Sequence, residues 1–403
     1  MVKSPLKLPN FRHLWIGLSL LSSAERVWLV ALTWLVLQET GSSLILGLVL
    51  MAGTIPSALF ILIGGAMSDR FPPHRVATIA AVVDTSLAGI MVALLLLNAF
   101  SIPILVVIAV VEGIADAFLY PSVMATLPRV VKKSQLATAN TLAEGSDQLT
   151  GIVGPALAGV SVASLGIPLT FAVGTVLSGL GSAFLACIHS RGWSRSPDSH
   201  QPQTLGSEIW EGLRYAWNNP ALRTLLLIVA MLNFAAAGPL MIGCAELVRL
   251  RFGGEVVIFG YLEAAAGLGA LVGVLIAGNF DSSHTPNRVL TLLACGLGAG
   301  LFTLGVINQV WLAYGVLAFM GLGGALVEIL TLVWCQRQTA AHLQGRVMGL
   351  LIFADVALEP LSQAVSGFLS EISLTLLFTA AGGALWVTGI VTGFSQMVRN
   401  PQL

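Results

Sequence analysis

The sequence predicts an all-α membrane protein whose twelve transmembrane helices form two pseudo-symmetric six-helix bundles. The first observation is composition: 56% of the 403 residues are hydrophobic, only 9% are charged, and the mean hydropathy is +0.89. A soluble domain carries about 25% charged residues, so most of this surface must face lipid. The second observation is a series of apolar runs of membrane-spanning length, and the third is an internal repeat.

Apolar runs of about 20 residues are long enough to cross a bilayer as helices. The sequence contains twelve such runs, at residues 14–37, 43–67, 75–97, 102–127, 137–160, 167–189, 222–244, 256–280, 288–307, 310–335, 346–369 and 373–397. The longest polar interval lies between about 190 and 221, which leaves no room for a soluble catalytic domain.

The basic residues predict the orientation of the chain. When the N-terminus is placed in the cytoplasm, all of the 19 Lys and Arg residues except Arg26, Arg249 and Arg251 lie on the cytoplasmic side. Cytoplasmic loops carry an excess of Lys and Arg, so we expect both termini in the cytoplasm. The net charge is zero, which argues against a nucleic-acid partner because such a partner needs a basic surface.

An internal repeat predicts a duplication. Residues 65–76 read GAMSDRFPPHRV and residues 278–289 read GNFDSSHTPNRV, so both contain an Asp followed by Pro-x-Arg-Val. Such a repeat is typical of membrane proteins built from two related halves. We therefore predict an N-terminal six-helix bundle (1–190), a cytoplasmic linker with a short interfacial helix (191–221) and a C-terminal six-helix bundle (222–403).

The four cysteines predict neither a disulfide nor a metal site. Cys187, Cys244, Cys295 and Cys335 fall within or at the edges of apolar runs and show no paired spacing, so we expect buried free thiols. The sequence also lacks a nucleophile–base pair and a phosphate-binding loop, so we expect neither an enzyme nor a cofactor.

Three motifs resemble segments of the major facilitator superfamily. The loop at residues 65–76 resembles the one that joins the second and third helices of these transporters, although Pro72 and Pro73 depart from its usual pattern. Residues 151–159 resemble the Gly-Pro motif of drug exporters, and residues 345–349 (GRVMG) resemble the branch of enterobactin exporters and macrolide-efflux proteins. The resemblance implies gating roles for Gly65, Asp69, Arg70, Arg75, Gly154, Pro155, Gly159 and Arg346.

This resemblance implies a secondary active transporter of a bacterial inner membrane. We expect proton-coupled efflux of a small amphipathic molecule, drug-like or siderophore-like, by alternating access in a monomer whose partners are substrate, protons and lipid. An uncoupled facilitator or a lysolipid flippase is the nearest alternative. A non-transporting receptor or scaffold is a third interpretation, but the short loops do not favour it.

Acidic residues within the predicted helices are the main functional signal. A charge at the bilayer centre costs about 2.5–3.5 kcal/mol by insertion scales, so these residues should face the protein interior or a water-filled cavity. Like charges at i,i+4 spacing on one helix face also favour protonation of one another. The candidates for proton coupling are, in order of preference, Asp116 and Asp355, then Glu112, Glu359, Glu328 and Glu25.

Polar and aromatic residues within the same helices are candidates for a substrate cavity. Trp rings attract cations and amides can hydrogen-bond a substrate. Packing against lipid is an equal alternative for the tryptophans, a bond between two helices for the amides, and a structural ion pair for Arg26. These cavity candidates are Arg26, Trp28, Trp34, Asn233, Glu263 and Gln363. Arg26 has no acidic residue three or four positions away, so its partner must come from another helix. For Asp84 we expect a packing role.

Overall fold

The computed structural model describes residues 4–189, 214–277, 286–339 and 344–394. Twelve segments of this described chain are long and apolar enough to cross a membrane, which confirms the predicted number. Helices are the expected form, because backbone N–H and C=O groups in lipid must be paired within their own segment or in a closed barrel.

Fourteen α-helices make up these twelve segments. They are α1 (Pro9–Thr40), α2 (Ser43–Arg70), α3 (Pro73–Leu96), α4 (Ile102–Val130), α5 (Leu136–Leu165), α6 (Ile167–Ala186), α7 (Pro220–Gly238), α8 (Cys244–Arg251), α9 (Val256–Ala277), α10 (Pro286–Val306), α11 (Val310–Gln338), α12 (Gln344–Val356), α13 (Glu359–Ile372) and α14 (Leu374–Phe394).

Proline and glycine mark the ends of several helices. Proline occupies the first turn of α3, α4 and α6, where its missing N–H costs nothing. Gly41, after α1, has φ +65°, and Gly166, between α5 and α6, has φ +83°. Glycine adopts these left-handed conformations without steric penalty, so each residue allows a tight reversal between antiparallel helices.

Large apolar side chains cover much of the protein surface. Leu59, Leu97, Leu275 and Leu292 each expose more than half of their area, and many other Leu, Ile, Val and Phe side chains are exposed. A soluble monomer rarely exposes contiguous apolar patches of this extent. This surface therefore faces the hydrocarbon of the bilayer.

The described residues divide into two compact units. The first lies within Met1–Thr40, Ala52–Ser199 and Phe259–Ala264, and the second within Gly41–Met51, His200–Ile258 and Ala265–Leu403. A cluster that includes Phe11, Leu14 and Leu127 is buried in the first unit. In the second unit a cluster that includes Leu222 and Val347 is buried.

The two units contain equivalent close helix crossings. In the first unit, a β-carbon on Gly113 of α4 would overlap the carbonyl oxygen of Gly53 on α2. In the second, a β-carbon on Gly321 of α11 would overlap the carbonyl oxygen of Ala266 on α9. Gly53 and Ala266 are as far apart in the sequence as Pro73 and Pro286, the matching prolines of the repeat. A duplication predicts this equal spacing.

Most spans differ from their predicted bounds by a few residues, and the seventh and eleventh also differ in form. The seventh continues beyond residue 244: α7 leads through a π-helical segment, Pro239–Gly243, into α8, which ends at Arg251. The eleventh is interrupted at residues 357–358, between α12 and α13, and ends at Ile372. Arg249 and Arg251 therefore lie on a helix, not in a loop.

Other predictions fall partly outside the described residues. These include the linker up to residue 213, with most of the expected interfacial helix, and residues 278–285 of the repeat.

The prediction that all the thiols are buried is wrong. Cys244 and Cys335 are buried, but Cys187, just beyond the end of α6, is exposed, and Cys295, within α10, is partly exposed.

Candidate functional site

Four carboxyl side chains lie close together in the first unit, and we call them the N-terminal acid cluster: Glu25 on α1, Asp84 on α3, and Glu112 and Asp116 on α4. Their charges interact with one another. Glu112 and Asp116 are four residues apart and so share one face of α4. The sequence had selected three of these residues, and the structure adds Asp84.

The carboxyl groups of Asp84 and Glu112 lie within hydrogen-bonding reach of each other. An ionised carboxylate can only accept, so a hydrogen bond between the two groups requires a proton on one of them. The Ser178 hydroxyl, from α6, also donates to Asp84 Oδ2 at 3.3 Å. A proton shared by this pair would therefore lie in contact with a third helix.

Hydroxyl groups extend this contact along α6. Thr85 Oγ1 lies 2.7 Å from Ser178 Oγ and 3.1 Å from Ser182 Oγ. Each hydroxyl carries one proton, so Ser178 donates either to Asp84 or to Thr85. The hydrogen-bond pattern between α3 and α6 can thus adjust when the carboxyl pair gains or loses its proton.

Glu112 is positioned by the close crossing of α2 and α4. Gly113, the next residue, contacts the backbone of Gly53 so closely that no side chain fits between the two helices. Small residues allow helix backbones in membranes to approach in this way. The crossing therefore fixes the position of Glu112 relative to α2.

Arg26 lies among acidic residues from three helices. Its Nη2 is 3.8 Å from Asp147 Oδ2 on α5, and it interacts electrostatically with its neighbour Glu25 and with Glu263 on α9. The Arg26 and Asp147 side chains are 40% and 46% exposed. The partner that the sequence required from another helix is thus Asp147. Arg26 Nε is buried and has no hydrogen-bond partner among the described residues.

The Gly-Pro segment of α5 brings these helices together. A β-carbon on Gly154 would lie 2.7 Å from Arg26 Cβ, so the stem of Arg26 occupies the space left by the glycine. On α9, a β-carbon on Gly260 would overlap the Pro155 carbonyl oxygen and lie 3.1 Å from Gly159 Cα. The segment thus contacts α1 at Gly154, and it contacts α9 at Pro155 and Gly159.

Two acidic candidates of the second unit, Asp355 and Glu359, have amide partners. Asn233 Nδ2, on α7, donates to Asp355 Oδ1 on α12. Gln363 Nε2 donates to Glu359 Oε1 at 3.1 Å within α13. Asp355 and Glu359 stand on either side of the interruption at residues 357–358, and Glu328, on α11, is exposed. Both amide candidates therefore bond to carboxyl groups in this arrangement.

The two tryptophan candidates on α1 are partly buried. The Trp28 ring packs edge-on against Phe171 of α6, with ring centroids 5.8 Å apart, and its indole N–H has no partner among the described residues. Trp34 lies between fully buried neighbours on the same helix. Packing between α1 and α6 accounts for the position of Trp28.

The loop motif at the end of α2 is only partly described. The Gly65 carbonyl accepts a hydrogen bond from Ser68 Oγ at 2.6 Å, and no atoms lie near the position of a β-carbon on this glycine. Arg70 and Arg75 are exposed. The side chains of Asp69 and Arg346 lie outside the described residues.

Sequence reasoning missed the polar groups near the end of the seventh span. Arg249 donates two hydrogen bonds to Glu246, from Nε to Oε2 at 2.8 Å and from Nη2 to Oε1 at 2.9 Å. Glu246 is only 1% exposed. The i,i+3 spacing of the two residues is a signal for this pair, but the predicted span ended before them.

Comparison with known proteins assigns the whole chain to one class of membrane protein. A profile described as Major Facilitator Superfamily matches residues 14–356. Multidrug efflux pump Tap of Mycolicibacterium fortuitum is 28% identical, with 100% of this chain and 98% of Tap covered. Enterobactin exporter EntS of Shigella boydii serotype 18 is 24% identical, with 83% of this chain and 79% of EntS covered.

Solved structures show the same fold at low sequence identity. The nucleoside transporter NupG superposes with a TM-score of 0.76 at 11% identity, covering 95% of this chain and 98% of NupG. A D-xylose–proton symporter superposes with a TM-score of 0.75 at 13% identity, covering 95% of this chain and 96% of the symporter.

Proposed function

Since the chain belongs to the major facilitator superfamily, we propose that it exports a small amphipathic molecule, drug-like or siderophore-like, in exchange for protons. The transport takes place by alternating access in a single chain, with both termini in the cytoplasm. The similarity to multidrug and enterobactin exporters supports export of such a molecule. The distribution of basic residues supports the orientation.

The observation that supports proton coupling is the close approach of the Asp84 and Glu112 carboxyl groups, which lie within hydrogen-bonding reach of each other. Two carboxyl groups that share one proton titrate as a unit. Loss of that proton places two negative charges side by side, which favours separation of α3 from α4 or the entry of a cation. The protonation state of the pair is therefore linked to the arrangement of three helices and to substrate binding.

The charges of the first unit favour neutral or cationic substrates. Among the described residues that interact here, the carboxyl groups of Glu25, Glu112, Asp116 and Glu263 outnumber the basic group of Arg26. An anionic siderophore would meet repulsion at this site, so a drug-like molecule is the preferred substrate class. For an uncharged substrate, one proton crossing 100 mV supplies about 2.3 kcal/mol, equivalent to about a 50-fold concentration ratio.

A transport assay in proteoliposomes tests the proposal. Ethidium serves as a lipophilic cationic dye, and an imposed pH gradient as the driving force. We expect accumulation that requires the gradient and is abolished by a protonophore. Glu112→Gln should still equilibrate the dye but should not concentrate it, whereas Glu144→Gln, at an exposed acid of α5, should behave as the parent protein.

The other interpretations predict different results in the same assay. Dye movement that ignores the pH gradient in the parent protein would contradict proton coupling and favour a facilitator. Movement of a fluorescent lysolipid in place of the dye would favour a flippase. A receptor or scaffold would move neither compound.

A further inference from the structure

One end of the first unit carries a group of exposed basic side chains, which we call the basic patch: Lys7, Arg12, Arg129, Lys132 and Lys133. Lys7 precedes α1, and Arg12 lies in the first turn of that helix. Arg129 lies in the last turn of α4, and the two lysines lie in the turn that leads into α5. The basic patch is therefore built from the ends of three membrane-spanning segments.

A shared apolar cluster holds the basic patch together. Phe11, which precedes Arg12, is 1% exposed and belongs to the buried cluster of the first unit. The leucines on either side of Lys7 and the two valines after Arg129 pack against the same cluster. Because their neighbours in the sequence pack together, the basic side chains border one surface of the first unit.

The turn between α4 and α5 is held by groups other than the lysine side chains. The Lys132 backbone N–H donates to Gln135 Oε1 at 3.3 Å, and the Gln135 N–H donates to the Lys132 carbonyl at 2.8 Å. Gln135 is only 4% exposed, whereas the side chains of Lys132 and Lys133 are exposed. The two ammonium groups are therefore available to a partner outside the protein.

The basic patch has no neighbouring acidic residue in the sequence. Neither Asp nor Glu occurs at residues 1–24 or 117–143. Within the described chain, none of the five basic side chains forms an ion pair. Arg129 also acts electrostatically on His74 at the start of α3, so its surroundings add no negative charge there. The basic patch is thus a local concentration of positive charge, and it favours an anionic partner.

The phosphate group of an anionic phospholipid suits this position. The basic patch lies where spans end, which is the depth at which lipid headgroups lie. Clusters of about four to eight Lys and Arg residues next to a span are typical of binding to anionic headgroups. A soluble acidic protein would have to approach from solution, whereas the headgroups already surround these residues.

We propose that the basic patch binds the headgroups of anionic phospholipids and so holds this end of the first unit at the membrane surface. The enrichment of Lys and Arg in cytoplasmic loops sets the orientation of a chain during insertion, and it requires no lipid to stay bound to the folded protein. Lipid binding is therefore a separate property. It needs no transported substrate, so its test is independent of the dye assay.

Native mass spectrometry of the full-length protein in detergent tests the proposal. Phosphatidylglycerol, which is anionic, and phosphatidylcholine, which is zwitterionic, are titrated with identical acyl chains, and the dissociation constant of the first bound lipid is measured. We expect the parent protein to bind phosphatidylglycerol about tenfold more tightly or better. Added salt should weaken this preference because it screens exposed charges.

Removal of charge from the basic patch should weaken binding of the anionic lipid. Each Lys or Arg near an anionic surface is worth about fivefold in affinity. We therefore expect Arg129→Gln to raise the dissociation constant for phosphatidylglycerol by about fivefold and Lys132→Gln/Lys133→Gln to raise it by about 25-fold. The constant for phosphatidylcholine should stay the same.

Arg223→Gln is the matched control. Arg223 is also an exposed arginine near the end of a span, but it lies in the second unit, with its guanidinium 5.7 Å from the centre of the Trp217 ring. Its replacement should change the dissociation constant for phosphatidylglycerol by less than about twofold. Gel filtration and thermal unfolding show whether each variant remains folded.

Several outcomes would overturn the proposal. These are equal affinity of the parent protein for the two lipids, unchanged affinity for phosphatidylglycerol in the folded double-lysine variant, and an equal loss in the Arg223 control. Displacement of the lipid by inorganic phosphate would indicate a site for free anions instead. Displacement by polyglutamate at equal charge concentration would indicate a soluble acidic partner, and either displacement would contradict lipid binding.

Discussion

The Arg26 side chain occupies the space in front of Gly154: a β-carbon on this glycine would lie 2.7 Å from Arg26 Cβ and 3.2 Å from Arg26 Cγ. α1 and α5 can therefore approach closely only because residue 154 lacks a side chain. The same approach brings the Arg26 guanidinium to Asp147. A glycine on one helix thus sets the position of a charge on another.

We expect Gly154→Ala to destabilise the protein by about 1–3 kcal/mol, since the new methyl group must push α1 away from α5. Gly151→Ala is the matched control, because no atom lies within 4 Å of its β-carbon position and alanine favours helix. The thermal unfolding midpoint in detergent measures both effects. Equal midpoints for the two variants would show that this contact is not tight.

The ion pair between Arg26 and Asp147 should contribute little to stability. Both side chains are about half exposed and lie 3.8 Å apart at their closest charged atoms, and exposed pairs of this kind are worth about 0–1 kcal/mol. A double-mutant cycle with Arg26→Gln and Asp147→Asn measures the coupling energy, with Glu144→Gln as the control for Asp147→Asn. A coupling energy above about 2 kcal/mol would indicate a desolvated pair and contradict this expectation.

Substitution by alanine should be equally destabilising at the equivalent glycines of the two close crossings. Gly113→Ala and Gly321→Ala each force a methyl group against a backbone carbonyl on the neighbouring helix, so we expect each to cost about 1–3 kcal/mol or to prevent folding. Gly324→Ala, on the same helix as Gly321, meets no atom within 4 Å and should be neutral. Expression level and thermal unfolding midpoint check the three variants. A tolerated Gly113 or Gly321 variant would refute the close approach.

Arg251 should be a structural residue of the second unit. Its Nη1 donates to the carbonyls of Gly305 and Ile307 at 2.9 and 3.2 Å, and its Nη2 donates to Thr375 Oγ1 at 2.8 Å. Loss of these bonds in Arg251→Ala should cost about 2–4 kcal/mol. Arg251→Lys has fewer donors in a different geometry, so its stability should lie between those of the parent protein and the alanine variant. An alanine variant as stable as the parent in thermal unfolding would contradict this role.

The sequence predicted the helices well because membrane spans depend on length and hydropathy, which are local properties. It placed the ends of several spans too early, and at two of these ends the polar residues Glu246 and Glu371 interrupt the apolar pattern. In the structure both carboxylates are bonded, to Arg249 and to the start of α2, and the helices continue through them.

The contacts within the candidate site could not be predicted in the same way. The i,i+4 spacing of Glu112 and Asp116 is visible in the sequence, but the close approach of Glu112 to Asp84 joins two helices. The expected packing role of Asp84 came from its helix alone, without knowledge of its neighbours on α4 and α6. Likewise, the sequence required a partner for Arg26 but could not select Asp147, because helix rotation and crossing angle decide which side chains meet.

Proton release from the purified protein is the most direct test of the claim that Asp84 and Glu112 hold the coupled proton. The protein is placed in weakly buffered detergent solution with a pH indicator, and ethidium is added while its binding is followed by fluorescence. We predict that the parent protein releases about one proton per bound dye, as expected when a pair shares a single proton. Asp84→Asn/Glu112→Gln should bind dye with no release. Unchanged proton release from that double variant would contradict the account.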